Sequence, residues 1–196
     1  MTTATSAAEL VDPRVDRSRR VIREAAIAEL AEIGYGRFTI ESVARRAGVG
    51  KSTVYRHWGG KLSLIADALE TLNQQPVPEA GEGTARERVE RLLNHLAEIL
   101  LHSTFSACVP ALIDAAERDP TVRDFYHGYS ARRRQTLVSV IADGVAAGDF
   151  PAGLDPELAS LALVGPIFYR RLMTREPFDP ALVPVLVDNV LGMRTA

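Results

Sequence analysis

Apolar residues recur every three or four positions along almost the whole chain, and nowhere do they alternate with the period of two that a half-buried strand requires. That pattern predicts an all-α fold. A first helix is predicted over Arg14–Ile33, where Val21, Ile22, Ala25, Ala26, Ala28, Leu30 and Ile33 form one stripe. Arg17, Arg20 and Arg23 fall on its polar side, and Gly34-Tyr35-Gly36 stops it. Two short helices, Ile40–Ala47 and Lys51–His57, follow with Gly48 between them. A fourth, Lys61–Asn73, puts Leu62, Ile65, Ala66, Leu69 and Leu72 on one side. Gln74–Gly83 carries two prolines and two glycines and reads as a linker and domain boundary.

Helix starts beyond the linker are marked by capping chemistry. Thr84 and Glu87 have the spacing of a capping box, in which hydroxyl and carboxylate satisfy otherwise unpaired backbone amides. Asp119-Pro120, Asp155-Pro156 and Asp179-Pro180 each set an acceptor at the cap and a proline at the first helical position, where its missing N–H costs nothing. Helices are predicted near 85–101, 104–117, 120–147, 156–174 and 180–193, about nine in all, with Gly148 closing the third of these. Pro110 and Pro166, inside two of them, are expected to kink or locally unwind them.

Charge divides the chain. Net charge is −2 over 196 residues, but Arg14–Lys61 holds eleven Lys/Arg against five Asp/Glu and the remainder twelve against twenty. A basic module is joined to an acidic one, which suits a polyanion-binding unit attached to something else. With 46% apolar and 24% charged residues the composition is that of an ordinary globular protein, and no apolar stretch is long enough to span a bilayer. Residues 1–13 lack the basic start and apolar core of a secretory signal and read as a flexible tail on a cytoplasmic protein. The single cysteine, Cys108, allows no internal disulfide and no cysteine-based metal site, so no metal and no cofactor are expected.

The most informative segment is Phe38–Leu64. A helix-turn-helix needs a small residue where its helices touch, a glycine in the turn, and apolar residues that fix the second helix at a steep angle. Ala44, Gly48, and Ile40, Val43, Val49 and Val54 meet those needs. The second helix, Lys51–His57, is then free to offer a polar face to a major groove. Lys51, Arg56 and His57 can donate to base edges or phosphates, Ser52 and Thr53 add hydroxyls, and the Tyr55 hydroxyl can reach a phosphate. The run Gly48-Val-Gly-Lys-Ser-Thr53 also ends like a phosphate-binding P-loop. That loop needs an earlier glycine, where this chain has Arg45, and a preceding strand, where this chain is helical.

This stretch resembles the DNA-binding domain of the TetR family of repressors: Thr39, Val43, Ala44, Ala47, Gly48, Val49, Thr53, Val54, Tyr55, His57, Lys61 and Leu64 match its pattern in register. With the first helix, the match spans about fifty residues. The resemblance implies that Thr39, Tyr55 and Lys61 hold phosphates while Lys51, Ser52, Thr53, Arg56 and His57 face or border the groove. Three positions depart from the pattern. Gly50 replaces the serine that caps the second helix, with the loss of one capping hydrogen bond; Ser52 stands where a smaller residue is common; Trp58 replaces phenylalanine. The implied architecture is an N-terminal three-helix helix-turn-helix domain (14–60), a connecting helix (61–73), and a larger helical domain (84–196) that binds ligand and dimerises.

Beyond Gly83 only architecture carries over, with the last two helices forming a four-helix interface in a homodimer. Leu158, Leu161, Ala162, Val164, Gly165, Phe168 and Leu172 line one side of the eighth helix, and Leu182, Val185, Leu186, Asn189, Val190 and Met193 one side of the ninth. A twofold DNA operator argues for such a dimer, because two recognition helices must reach grooves about 34 Å apart. His102, Phe105, Cys108, Phe125, Tyr126, Tyr129 and Arg133 supply aromatic and polar groups for a small-molecule effector pocket, against the plainer reading of each as core. The expectation is a repressor released from a palindromic operator by an effector. Two other classes compete: a helical protein-binding or architectural module without ligand, and an enzyme. The enzyme reading rests on the row His95, Glu98, His102, which could hold a metal but fits a polar patch better.

Overall fold

The computed structural model describes residues 13–73, 83–174 and 176–192. The predicted tail up to residue 12, the linker up to residue 82 and Met193 lie outside the described residues. Among the described residues the chain forms nine α-helices, one 3-10 turn and no strand. The helices are α1 (Pro13–Arg37), α2 (Ile40–Ala47), α3 (Lys51–His57), α4 (Lys61–Asn73), α5 (Ala85–His102), α6 (Thr104–Arg118), α7 (Pro120–Ala147), α8 (Pro156–Met173) and α9 (Val183–Leu191).

Local chemistry accounts for most boundaries. Thr39 and Ser42 form a reciprocal capping box at α2: Thr39 Oγ1 accepts from Ser42 N–H at 3.0 Å and Ser42 Oγ from Thr39 N–H at 3.2 Å. Thr84 and Glu87 do the same at α5, and Asp119, Asp155 and Asp179 each accept backbone N–H bonds one turn into the element they start. A side-chain cap of this kind stabilises a helix by about 1 kcal/mol. α1 departs from expectation, because Gly34 breaks it with φ 73° yet a last turn reforms to Arg37. Asp179-Pro180 starts the 3-10 turn Pro180–Leu182, and α9 follows only at Val183; Pro184 lies at its second position, where it supplies no N–H. Pro110 and Pro166 unwind nothing, since α6 and α8 run on through them.

Two large cores fill the molecule. The first gathers Ile22, Leu30, Val43, Val54, Leu64 and Leu69 from α1–α4, and it extends into Cys108 and Leu112 of α6 and Tyr129 of α7. α1 packs more extensively on α6 than on any helix of its own end. The second core joins Val89 and Leu93 of α5, Ile141 of α7, Leu163 and Ile167 of α8, and Val187 of α9. Gly144 of α7 sits at a close approach: a Cβ there would collide with the Phe150 ring and the Ala85 methyl. No single described helix is long and apolar enough to cross a membrane.

Candidate functional site

The α2–α3 pair has the geometry of a helix-turn-helix. Gly48 ends α2 in the left-handed region at φ 67°, and Val49 N–H reaches back to the Ala44 carbonyl at 3.0 Å. Gly50 starts α3 without a side-chain cap, so the bond its missing hydroxyl would have made is absent. Val54 is fully buried and fixes α3 to the core, which leaves Lys51, Ser52, Tyr55 and Arg56 exposed, Tyr55 at 50%. Lys51 and Arg56 form no ion pair among the described residues, and Arg45 of α2 forms none either, though its charge reaches Glu29. Thr53 and His57 are half-buried at the edge of this face. His57 meets the Trp58 ring edge-on with centroids 5.5 Å apart, and burial together with the Arg56 and Arg19 charges lowers its imidazole below the ordinary range. Helix entry at Lys51–Thr53 follows a helix and a turn, with no strand, so the P-loop-like run has no phosphate cradle.

Two clamps hold this pair in place. Arg46 of α2 binds Glu29 of α1 at 2.6 Å and also pairs with Glu32. Burial works to raise the Glu29 carboxyl, but hydrogen bonds from Ser42 and Arg46 outweigh it and hold it below the usual carboxylate range. At the end of α3, Trp58 Nε1 donates to Asp67 of α4 at 2.8 Å, and Arg23 of α1 pairs with the same carboxylate at 2.9 Å. Lys61 takes part in this bracing: its ammonium donates to the Tyr35 carbonyl and lies 3.6 Å from the Tyr35 ring centroid. Burial lowers the Lys61 ammonium below its ordinary range, with Asp119 opposing. Thr39 is exposed, with its hydroxyl engaged in the α2 cap.

The far end of the molecule carries the opposite kind of surface. Leu158 (65% exposed), Leu161, Tyr169 and Met173 of α8 stand in solvent beside Leu182 and Val185 (55%) of the last segment. Gly165 and Asn189 are exposed on the same helices, and Phe168 and Leu186 are half-buried. The single side expected on α8 divides, because its inward residues are Ala159, Ser160, Leu163 and Ile167.

A cavity of about 520 Å³ opens between α5, α6, α7 and α8, walled by Leu92, Leu96, Ile99, Val109, Val164 and Phe168. Of the residues nominated for a pocket, Phe105, Tyr126, Tyr129 and Arg133 line it. The other three lie elsewhere. Cys108 is buried, its Sγ donates to the Ile27 carbonyl at 3.5 Å, and burial pushes its thiol up to about 12. Phe125 packs with the first core, 6.0 Å from Tyr129. His102 pairs with Glu98 at 3.6 Å on the rim of a more open groove next to Arg171. His95 lines the cavity, so the row His95, Glu98, His102 does not converge on one point. No cluster of three His, Cys, Asp or Glu comes together among the described residues.

Sequence reasoning missed Glu29, Arg46 and Asp67, and Tyr169 with Met173, and it named His95 in the metal row but not for the cavity that it lines. The first three act across long sequence separations that no local spacing encodes. Tyr169 and Met173 continue the four-residue rhythm of Leu161 and Gly165, which could have found them.

Two family models cover the chain: "Bacterial regulatory proteins, tetR family" over residues 22–68 and "Tetracyclin repressor-like, C-terminal domain" over residues 79–190. The helix-turn-helix-type transcriptional regulator YdeS of Bacillus subtilis is 30% identical over 182 residues, 90% of this chain and 89% of its own. A DNA-binding transcriptional repressor TetR of Mycobacteroides abscessus is 30% identical over 175 residues, 85% and 87% of the two chains. The crystal structure of a TetR-family regulator from a Rhodococcus species aligns with a TM-score of 0.74 at 22% identity, covering 89% of this chain and 99% of that one. These relatives and families are transcriptional regulators, not enzymes. With a helix-turn-helix at one end, a helical body behind it and both family models in register, the chain belongs to the TetR family of transcriptional regulators.

Proposed function

We propose that this regulator is a repressor that binds a palindromic double-stranded operator as a homodimer and releases it when a small-molecule effector enters the α5–α8 cavity. The observation that carries the reading is α3 itself: a short helix pinned by buried Val54, with Lys51, Ser52, Tyr55 and Arg56 turned to solvent and neither cation in an ion pair among the described residues. Lys51, Ser52, Thr53, Arg56 and His57 enter or border the major groove, and Thr39 and Tyr55 contact phosphates. Lys61 can reach a phosphate only by leaving the Tyr35 carbonyl, so its larger part is to brace α4 against α1. The units are 14–60 for DNA, 61–73 as connector and 84–196 for ligand and dimer. Leu158, Leu161, Gly165 and Phe168 meet Leu182, Val185, Leu186 and Asn189 across the twofold axis, which removes their exposed apolar surface from water. A relative from Mycobacteroides abscessus described as a repressor favours that sign of regulation.

Release follows from a difference in affinity: an effector that prefers a dimer with misplaced recognition helices lowers operator affinity by that preference. Selection of bound sequences from random duplexes tests the first half. A recovered twofold-symmetric site is expected, and no enrichment over random DNA would overturn the reading. Thermal shifts on adding small molecules separate a sensor from a ligand-free architectural or protein-binding module, which would give none.

A further inference from the structure

The cavity between α5, α6, α7 and α8 has a charge imbalance that points to what it holds. Three consecutive arginines of α7 line it, and two are spoken for: Arg132 pairs with Glu70 at 3.3 Å and Arg134 with Glu157 at 3.2 Å. Arg133, between them and half-buried, has no acidic partner among the described residues. His95 of α5 lines the same cavity, and its Nε2 is buried with no hydrogen-bond partner among the described residues. A half-buried guanidinium and an unanswered imidazole nitrogen are both costly to leave without partners. The rest of the wall is mostly leucine, isoleucine, valine and aromatic rings, with the hydroxyls of Ser130 and Thr136 and the carboxylate of Glu70.

We propose that this cavity takes an apolar organic anion, a monocarboxylate with an aliphatic or aromatic body, whose carboxylate is held by Arg133 and His95. The inference rests on reading the cavity as the effector site. A guanidinium offers two parallel N–H donors that match the two oxygens of a carboxylate, a geometry an alcohol cannot use. A cationic ligand would meet three guanidiniums against the one carboxylate of Glu70 on the lining. Burial and the Arg133 charge lower the His95 imidazole, which favours the neutral ring, and that ring keeps one N–H to donate. About 520 Å³ lies within the range of about 300–1,000 Å³ that encloses small organic ligands.

Calorimetric titration of the full-length protein with decanoate, 1-decanol and decylammonium tests this, since the three share one tail and differ in head-group charge. Decanoate is expected to bind more tightly than the other two by about tenfold or more. Arg133→Gln removes that preference while leaving 1-decanol within about twofold, and circular dichroism checks that the variant is folded. His95→Phe, which removes the imidazole without altering the arginine, costs decanoate several-fold and 1-decanol little. Arg118→Gln, an equal loss of charge on the outside of α6, changes nothing. Equal or tighter binding of the alcohol or the amine, a preference that survives Arg133→Gln, or no binding of any of the three overturns the proposal. Decanoate binding that depends on Arg133 but leaves operator affinity unchanged would keep this ligand chemistry and remove the effector role. Release by some other compound without a decanoate preference would do the reverse.

Discussion

Two surfaces of this protein lack partners among the described residues, and their chemistry is opposite. The α3 face is charged and hydroxyl-bearing, with a single buried anchor in Val54, whereas the α8–α9 face exposes leucine, valine, tyrosine and methionine. A polar helix stays stable in water and waits for a polyanion; an apolar face of that size is disfavoured in water and seeks an equally apolar partner. On the proposed function, the two faces would be driven by different terms, counterion release on one side and water release on the other.

Charging the apolar face should have the largest effect. Leu158→Glu with Val185→Glu, which sets like charges against each other across the axis, should turn dimer into monomer in sedimentation while circular dichroism stays the same, and operator affinity should fall by about a hundredfold or more as the two-site advantage is lost. Unchanged sedimentation would mean that α8–α9 is not the interface. Arg56→Ala comes next: a loss of about ten- to a hundredfold on the selected operator with the dimer intact, and a smaller loss on random DNA if the guanidinium reads a base. Equal losses on both would move Arg56 to phosphate contact. Raising salt from about 50 to about 200 mM should weaken operator binding by about tenfold or more and leave the dimer untouched. If both respond alike, the two faces are less distinct than their composition says. Tyr55→Phe should cost only a few-fold, similarly on all sequences.

The smallest effect concerns how the α3 face is presented. Because Glu29 is held below its unfolded range, the unfolded chain takes up the proton first, so stability is retained above the carboxylate range and lost as pH falls through it. Glu29→Gln should therefore flatten the acid limb of a thermal-melting profile, and an unaltered limb would show that the Arg46 clamp contributes little.

Legibility followed the locality of the cause. Asp-Pro and Thr…Glu caps act within four residues, so α5, α7 and α8 begin where the sequence puts them. The helix-turn-helix was readable for the same reason, since Ala44, Gly48 and Val54 do their work within one short segment. α8 was not: it is apolar nearly all round, so periodicity alone could not say that Leu163 and Ile167 face the core while Leu158 and Tyr169 face outward. The cavity was half-found, because Tyr129 and Arg133 lie near each other on α7, while His95 reaches it from α5 and Cys108 and Phe125 turn to α1's core instead. Nothing in the spacing of those residues encodes which of two adjoining cores each will join.

The seam between α1 and α6, with Cys108 and Leu112 buried in the N-terminal core, makes this protein a poor source of interchangeable parts. A chimaera that transplants residues 13–73 onto a foreign sensor would bare the flank of α1 that α6 now covers. One that carries α6 along with the graft keeps that flank dry, and the portable unit is therefore five helices, drawn from both sides of the linker.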